Sequence, residues 1–271
     1  MQITEKIILT ALQTALKAGK AIMTIYQQPF EVELKADNSP LTIADKTVHI
    51  IITEGLLDTG IPILSEEGEQ LSYEFRKSWK DFWLVDPLDG TKEFIKKNGD
   101  FTVNIALISE KQPVFGVVYT PVQGLIYWGS ESGSFRLNVT QLNNNDFEKI
   151  NSIEALSERL PCISMHEGYL VLGSSSHMNV ETESFISDLK ISHPDLLFIS
   201  RGSSLKFCTL AEGGADIYPR FGPTMEWDTG AGHAVARFAG CSVDQVENGL
   251  PLEYNKPSLL NPNFIARCKK K

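Results

Sequence analysis

The sequence predicts a mixed α/β fold, and three observations lead to that class. Helical periodicities open the chain, short apolar runs separated by turn residues follow them, and strand and helix patterns alternate through the C-terminal half. From Thr4 to Tyr26 the apolar residues Ile7, Ile8, Leu12, Ala15 and Leu16 recur at helical spacing, and Val48, Ile51, Ile52 and Leu56 repeat the pattern. Between these two helices, Lys35 to Pro40 is rich in turn formers and reads as a polar loop, with Asp45 shortly after it.

The runs Ile61 to Leu64, Phe82 to Val85, Phe101 to Ile108, Val114 to Tyr119 and Leu125 to Trp128 read as strands. Asn138 to Glu154, with Asn143-Asn144-Asn145-Asp146, reads as a loop or subdomain junction. Beyond it, Tyr169 to Leu172 and Leu196 to Ile199 read as strands, and Glu181 to Lys190, Ser204 to Ala211 and Asp228 to Phe238 as helices. The chain is long enough for one large domain or for two packed halves. The expected halves are 1–137, carrying most of the acidic site, and 138–271, carrying substrate specificity and the last acidic ligand.

Composition excludes several function classes. Lys and Arg total 25 against 34 Asp and Glu, a formal charge of −9, which disfavours a general nucleic-acid-binding surface, since that would need a basic face. An acidic protein binds an anion only through metal ions or a few placed cations. Cys162, Cys208, Cys241 and Cys268 are far apart and form no CxxC pair, so free thiols in a reducing compartment are expected. No apolar run approaches the ~20 residues of a membrane span, and no leader pattern opens the chain. A soluble cytoplasmic protein is therefore expected. Its Lys269-Lys270-Lys271 tail allows at most a weak peripheral contact with the cytoplasmic face of an inner membrane. The sequence sets no oligomeric state.

The chemistry concentrates at three acidic ends. The strand Phe82 to Val85 stops at Asp86-Pro87-Leu88-Asp89-Gly90-Thr91, where Pro87 and Gly90 shape a turn and a short helix follows. Two carboxylates converging there would make the oxygen-rich corner that a hard cation such as Mg²⁺ prefers, and Gly90 and Thr91 would offer N–H groups and a hydroxyl to a phosphate. A plain turn with a helix-capping Asp fits this hexapeptide equally well. The strand Ile61 to Leu64 also ends in acid, Ser65-Glu66-Glu67-Gly68. Asp228 in Trp227-Asp228-Thr229-Gly230-Ala231-Gly232 opens a helix whose small residues would permit close approach to a ligand.

Asp86 to Thr91, Trp227 to Gly232 and the upstream Glu66-Glu67 together resemble the paired signatures of the inositol monophosphatase superfamily, in order and spacing over nearly the whole chain. The resemblance implies a layered αβαβα sandwich. It implies that Glu66, Asp86, the Leu88 carbonyl, Asp89 and Asp228 bind two or three Mg²⁺ ions, and that Asp45 and Thr91 form a pair which, with Glu67, takes the proton of the attacking water. Phosphatases that form an aspartyl-phosphate use an Asp-x-Asp-Gly-Thr strand exit. Pro87 stands here in the place of the nucleophilic Asp, so direct attack by metal-activated water is expected.

Specificity is expected in the C-terminal half. Inositol phosphatases carry an Asn near Lys206 and an acidic residue near Arg220, whereas both places are cationic here, which suits a substrate with a second anion. With Tyr218-Pro219-Arg220-Phe221-Gly222-Pro223-Thr224, this resembles the 3′(2′),5′-bisphosphate nucleotidase branch. The implied reaction converts 3′-phosphoadenosine 5′-phosphate to AMP and phosphate and belongs to sulfate assimilation. The implied substrate contacts are Glu66, Leu88, Asp89, Gly90, Thr91, His177, Ser203, Lys206, Arg220 and Asp228. Trp79, Trp83 and Trp128 read as core residues, not a base-stacking platform. Two alternatives stand: a phosphatase of this fold acting on inositol or sugar phosphates, and a non-catalytic nucleotide or metal sensor. The joint presence of metal ligands and the Asp45 and Thr91 pair argues against the sensor, because binding alone needs no proton acceptor.

Overall fold

The computed structural model describes residues 3–34, 40–142, 146–163, 167–174 and 178–268. The chain opens with α1 (Glu5–Tyr26), the hairpin strands β1 (Val32–Leu34) and β2 (Pro40–Thr42), and α2 (Ile43–Leu57). Then follow β3 (Ile63–Ser65), α3 (Tyr73–Arg76), β4 (Asp81–Asp89), α4 (Thr91–Ile95), β5 (Thr102–Ser109), β6 (Gln112–Thr120), β7 (Leu125–Ser130) and β8 (Gly133–Asn138). The second half holds α5 (Ile150–Leu156), β9 (Glu158–Arg159), β10 (Tyr169–Gly173), α6 (Val180–Ser192), β11 (Leu196–Ser200), α7 (Leu205–Glu212), β12 (Ile217–Arg220), α8 (Glu226–Phe238), β13 (Cys241–Gln245) and β14 (Phe264–Cys268). The 138–154 stretch, expected as a loop, contains short 3₁₀ turns and the start of α5, while Asn143 to Asn145 lie outside the described residues.

Strands β3 to β9 form a seven-stranded sheet in sequence order, and a five-stranded sheet runs β11-β10-β12-β14-β13. The parallel trio β11-β10-β12 is linked by α6 and α7 crossovers, which parallel neighbours require. Helices α1 and α2 cover one face of the larger sheet, α7 and α8 lie between the sheets, and α6 closes the outer face of the smaller one. The result is the five-layer αβαβα order that the resemblance implied.

Strand burial explains the apolar runs. Along β4, Trp83 and Val85 pack toward α1 and α2, while Phe82 and Leu84 pack toward α7 and α8, all of them buried. A strand covered on both faces reads as continuously apolar, not alternating. Trp83 and Trp128 are both fully buried on the α1 side, whereas Trp79 packs into the inter-sheet core, so the three are core residues on different faces.

Helix α8 sits unusually close to the larger sheet because Gly116 and Gly129 are paired across β6 and β7 beneath it. A Cβ at Gly116 would lie 2.5 Å from the Ala231 carbonyl oxygen, and one at Gly129 2.8 Å from that of Ala234. The small residues of α8 itself serve the same packing. A Cβ at Gly232 would lie 2.5 Å from Phe207 and one at Gly230 2.9 Å from Leu84, so these glycines face the core and not the ligand that the sequence had suggested.

The expectation of four free thiols is corrected. Cys241 and Cys268 face each other across β13 and β14 with Cα atoms 4.0 Å apart and form a disulfide, leaving Cys162 and Cys208 free. Antiparallel pairing brings the two into register across 27 residues of sequence, which spacing alone does not reveal. No helix among the described residues is long and apolar enough to cross a membrane, and the Lys269 to Lys271 tail lies outside those residues.

Because α8 carries Asp228, the Gly116 contact couples packing to the acidic site. Gly116→Ala is expected to cost about 1–3 kcal/mol of stability through overpacking against helix backbone, read as a melting temperature lowered by several degrees.

Candidate active site

The seven-stranded sheet does not end at Val85, as the sequence suggested, but continues to Asp89 through a bulge. Asp86 pairs with Asn104 and Asp89 with Thr102, so Pro87 and Leu88 together oppose the single residue Val103. In an unbroken strand, residues three apart point to opposite faces. The extra residue brings Asp89 back to the face of Asp86, toward α7 and α8, while Leu88 turns into the core beneath α1 and α2. Proline fits the bulge because it has no N–H to give to the ladder. Gly90 then adopts φ +94°, a left-handed turn open to glycine, and leads into α4.

Three acidic chain ends meet here. Glu66 leaves β3, its N–H held by the Val85 carbonyl at 3.1 Å. Asp228 is the third residue of α8, and its Oδ2 accepts from the Met225 N–H at 2.8 Å, closing the helix N-terminus. Carboxylate oxygens of Glu66, Asp86 and Asp228 all lie within 4.8 Å of one another. Asp89 lies beside them but turns Oδ2 away. That oxygen accepts from the Ser204 N–H at 2.7 Å, Asn104 Nδ2 at 3.3 Å and Thr102 Oγ1 at 3.4 Å.

Charge repulsion sets the electrostatics. Burial, then the charges of Glu66, Asp89 and Asp228, push the Asp86 carboxyl well above its ordinary range. Burial and the Asp89 charge push Asp228 up to about 8, and burial raises Asp89, with Lys206 and its hydrogen-bond donors pulling the other way. All the side-chain donors are carboxylate oxygens, crowded so closely that without a cation they hold protons to higher pH than ordinary carboxylates. This set fits a hard divalent cation.

Asp45 and Thr91 also come together. Thr91 Oγ1 lies 3.2 Å from Asp45 Oδ1, to which it donates, and 3.3 Å from the Leu88 carbonyl oxygen. The other Asp45 oxygen accepts from both the N–H and the hydroxyl of Thr42 at 2.7 Å, so the first turn of α2 orients the carboxylate and leaves Oδ1 for Thr91. Asp45 is 2% exposed. Glu67 sits near His49, whose pKa it raises against the lowering effect of burial, and it does not line the cavity.

The cavity, about 300 Å³, opens between the acidic corner and β12. Lys206 lies on its wall yet is only 5% exposed, its Nζ donating to the Ser203 carbonyl at 2.8 Å and the Arg201 carbonyl at 3.3 Å. Burial lowers its pKa to about 8, against the raising influence of Asp89. The Ser203 hydroxyl is engaged with the carbonyl oxygens of Asp89 at 2.9 Å and Asp100 at 2.8 Å. Arg220 donates from Nη2 to the Pro223 carbonyl at 3.0 Å, and its buried Nε has no partner among the described residues. Gly90 lines the cavity too, and His177 lies outside the described residues. Sequence reasoning missed Thr42, Thr102, Asn104 and Ser204. Thr102 and Asn104 are fully buried in an otherwise apolar strand, a signal that was available because buried polar groups need partners.

The Inositol monophosphatase family model matches residues 4–270. The chain belongs to that family. The 3′(2′),5′-bisphosphate nucleotidase CysQ of Escherichia coli O157:H7 is 46% identical over 257 residues, covering 93% of this chain and 96% of that protein. The enzyme of the same name from Haemophilus influenzae is 33% identical, covering 98% and 94%. Among solved structures, CysQ from Bacteroides thetaiotaomicron superposes with a TM-score of 0.90 at 46% identity, covering 98% of both chains. The extragenic suppressor protein suhB of Bartonella henselae, at 23% identity and TM-score 0.73, shares the fold.

Removing charge from the corner should stabilise the protein without metal. With Asp228 raised from 3.8 to about 8, the folded state holds more protons than the unfolded state between those values, so stability in EDTA falls as pH rises through that window. Asp228→Asn is expected to flatten part of that fall and to raise the EDTA melting temperature near pH 7, and to weaken any stabilisation by an added divalent cation.

Proposed function

We propose that this member of the family is a Mg²⁺-dependent 3′(2′),5′-bisphosphate nucleotidase. Its reaction is hydrolysis of the 3′-phosphate of 3′-phosphoadenosine 5′-phosphate to AMP and phosphate. The observation that carries the reading is the pairing, within one cavity, of a carboxylate corner suited to cations with an Arg220 guanidinium whose buried Nε is unpaired among the described residues. The corner suits the phosphate to be cleaved, and the guanidinium suits a second phosphate on the same substrate. An inositol ring would leave that arginine facing neutral hydroxyls. The names of the relatives support the same choice.

Glu66, Asp86, Asp89, Asp228 and the Leu88 carbonyl would hold the metal. Bound there, Mg²⁺ would polarise the phosphoryl oxygens and ease deprotonation of water. The chain supplies the rest. Thr91 donates its proton toward Asp45, which leaves its own lone pair to accept from the attacking water and align it. Asp45, held by Thr42, receives the proton equivalent. Ser204, Asn104 and Thr102 keep Asp89 from rotating, and Lys206 offsets its charge while fastening the 201–203 loop. Arg220 fixes which ester faces the corner. A cytoplasmic setting belongs to the same proposal, since the nucleotide is a by-product of sulfate assimilation.

Phosphate release should be fastest from 3′-phosphoadenosine 5′-phosphate in a panel with inositol 1-phosphate and fructose 1,6-bisphosphate, and should vanish in EDTA and fall in lithium. Arg220→Ala is expected to lower kcat/KM on the bisphosphate by about 10²-fold, from a charge-assisted contact of about 3 kcal/mol, and to leave 3′-AMP nearly unchanged. Equal losses on the two substrates would make Arg220 structural.

Thr91→Ala is expected to lower kcat by roughly 10²-fold or more with little change in KM, as for loss of a proton relay. A raised KM at normal kcat would assign Thr91 to phosphate binding instead.

A further inference from the structure

Tyr218, in the middle of β12, is 3% exposed and still lines the cavity. Its ring is held on three sides. Phe207 and Phe264 meet it edge-on at centroid distances of 5.3 and 5.6 Å, and the Lys206 ammonium lies 5.5 Å from its centroid. The direction of the hydroxyl is therefore set by the protein before any ligand arrives.

That hydroxyl has no hydrogen-bond partner among the described residues. The neighbouring polar groups of the site do: Asp89 is held by Ser204, Ser203 by two carbonyls, Lys206 by two more, and Asn104 by Asp89 and Ser204. The ring is buried but the cavity reaches its side chain, so a fixed donor that no described residue engages is presented to whatever fills the cavity. Burial raises its pKa, and Asp89 and Asp228 add to that, so it remains a neutral donor at working pH. The charges it feels are those of Arg220, Asp89 and Asp228. Two residues apart on β12, Tyr218 and Arg220 share one face of the strand, and both line the cavity with Asp89 and Asp228.

We infer that the Tyr218 hydroxyl donates a hydrogen bond to the ribose hydroxyl adjacent to the cleaved ester, and so makes the site selective for ribonucleotides over 2′-deoxyribonucleotides. The inference rests on the bisphosphate nucleotidase reading, because only in a substrate with one phosphate at the corner and one at Arg220 does the sugar fall between them. Both phosphates already have charged partners, whereas a neutral donor suits a neutral hydroxyl. Removing the substrate hydroxyl would leave the phenol buried and unpaired, which penalises the analogue more than loss of one exposed hydrogen bond would.

The experiment measures kcat/KM for 3′-phosphoadenosine 5′-phosphate and its 2′-deoxy analogue, with the parent and with Tyr218→Phe. The parent is expected to prefer the ribonucleotide by about tenfold. Tyr218→Phe should lose most of that preference by falling on the ribonucleotide while holding within about twofold on the deoxy analogue. Any intrinsic difference in leaving-group reactivity cancels in the ratio of ratios, which isolates the contact. Unchanged melting temperature would show that the ring still packs. An equal fall on both substrates, an unchanged preference, or a parent with no preference would each overturn the ribose contact while leaving the nucleotidase reading intact. A parent that hydrolyses neither bisphosphate overturns that reading, and the ribose contact with it.

Discussion

Like charges forced together at one corner constrain the rest of this molecule. Glu66, Asp86 and Asp228 come from three separate elements, and each would be better hydrated apart. They remain adjacent because their backbones are anchored in two buried cores. β3 and β4 lie side by side in the larger sheet, and α8 is wedged between the sheets over Gly116 and Gly129. The repulsion is thus stored against packing that cannot easily relax. A divalent cation is the natural way to release it, and the N-terminal end of α8 gives a smaller favourable field to the carboxylate at its third position.

A second buried network steadies the same helix end from the outside. Glu226, the first residue of α8, is fully buried and accepts from the N–H groups of Asn255 and Lys256 at 2.6 and 3.0 Å and from the Lys256 ammonium at 2.6 Å. Asn255 in turn accepts from buried Arg76 at 2.7 Å and donates to the Arg76 carbonyl at 2.8 Å. Segments far apart in sequence therefore converge on the turn that aims Asp228. Among the described residues the network is satisfied except at the buried Arg76 Nε, and such networks stiffen the segments they join.

The two sheets divide the chemistry. The larger supplies Asp86 and Asp89 through its bulge, with Glu66 at its edge, and α2 and α4 add Asp45 and Thr91. The smaller supplies Tyr218 and Arg220 on β12, and α7 between the sheets brings Lys206. On the proposed reading, one phosphate and its attacking water would belong to the first group, and the remainder of a substrate to the second. Ser203 and Ser204 join the two, since both bond to Asp89 from the start of α7.

Much of this was legible in the sequence. Periodicity located α1, α2 and the long strands β4 to β7, because those elements are covered by apolar neighbours along their whole length and their residues record it. The acidic ends were legible because Asp, Pro and Gly at a strand exit have few other uses together. What stayed hidden depended on pairing between distant segments. The bulge that turns Asp86 and Asp89 to one face is a mismatch between two strands, so neither strand encodes it alone. The register that joins Cys241 to Cys268 is a property of β13 and β14 together. Short strands such as β12 are interrupted by polar residues whose reason is the cavity they line. The sequence by itself determined which residue types were available and the local elements that carry them. The tertiary structure alone decided which of them met, because burial, bulge register and the placing of Tyr218 on the cavity wall arise only when separate elements compete for the same space.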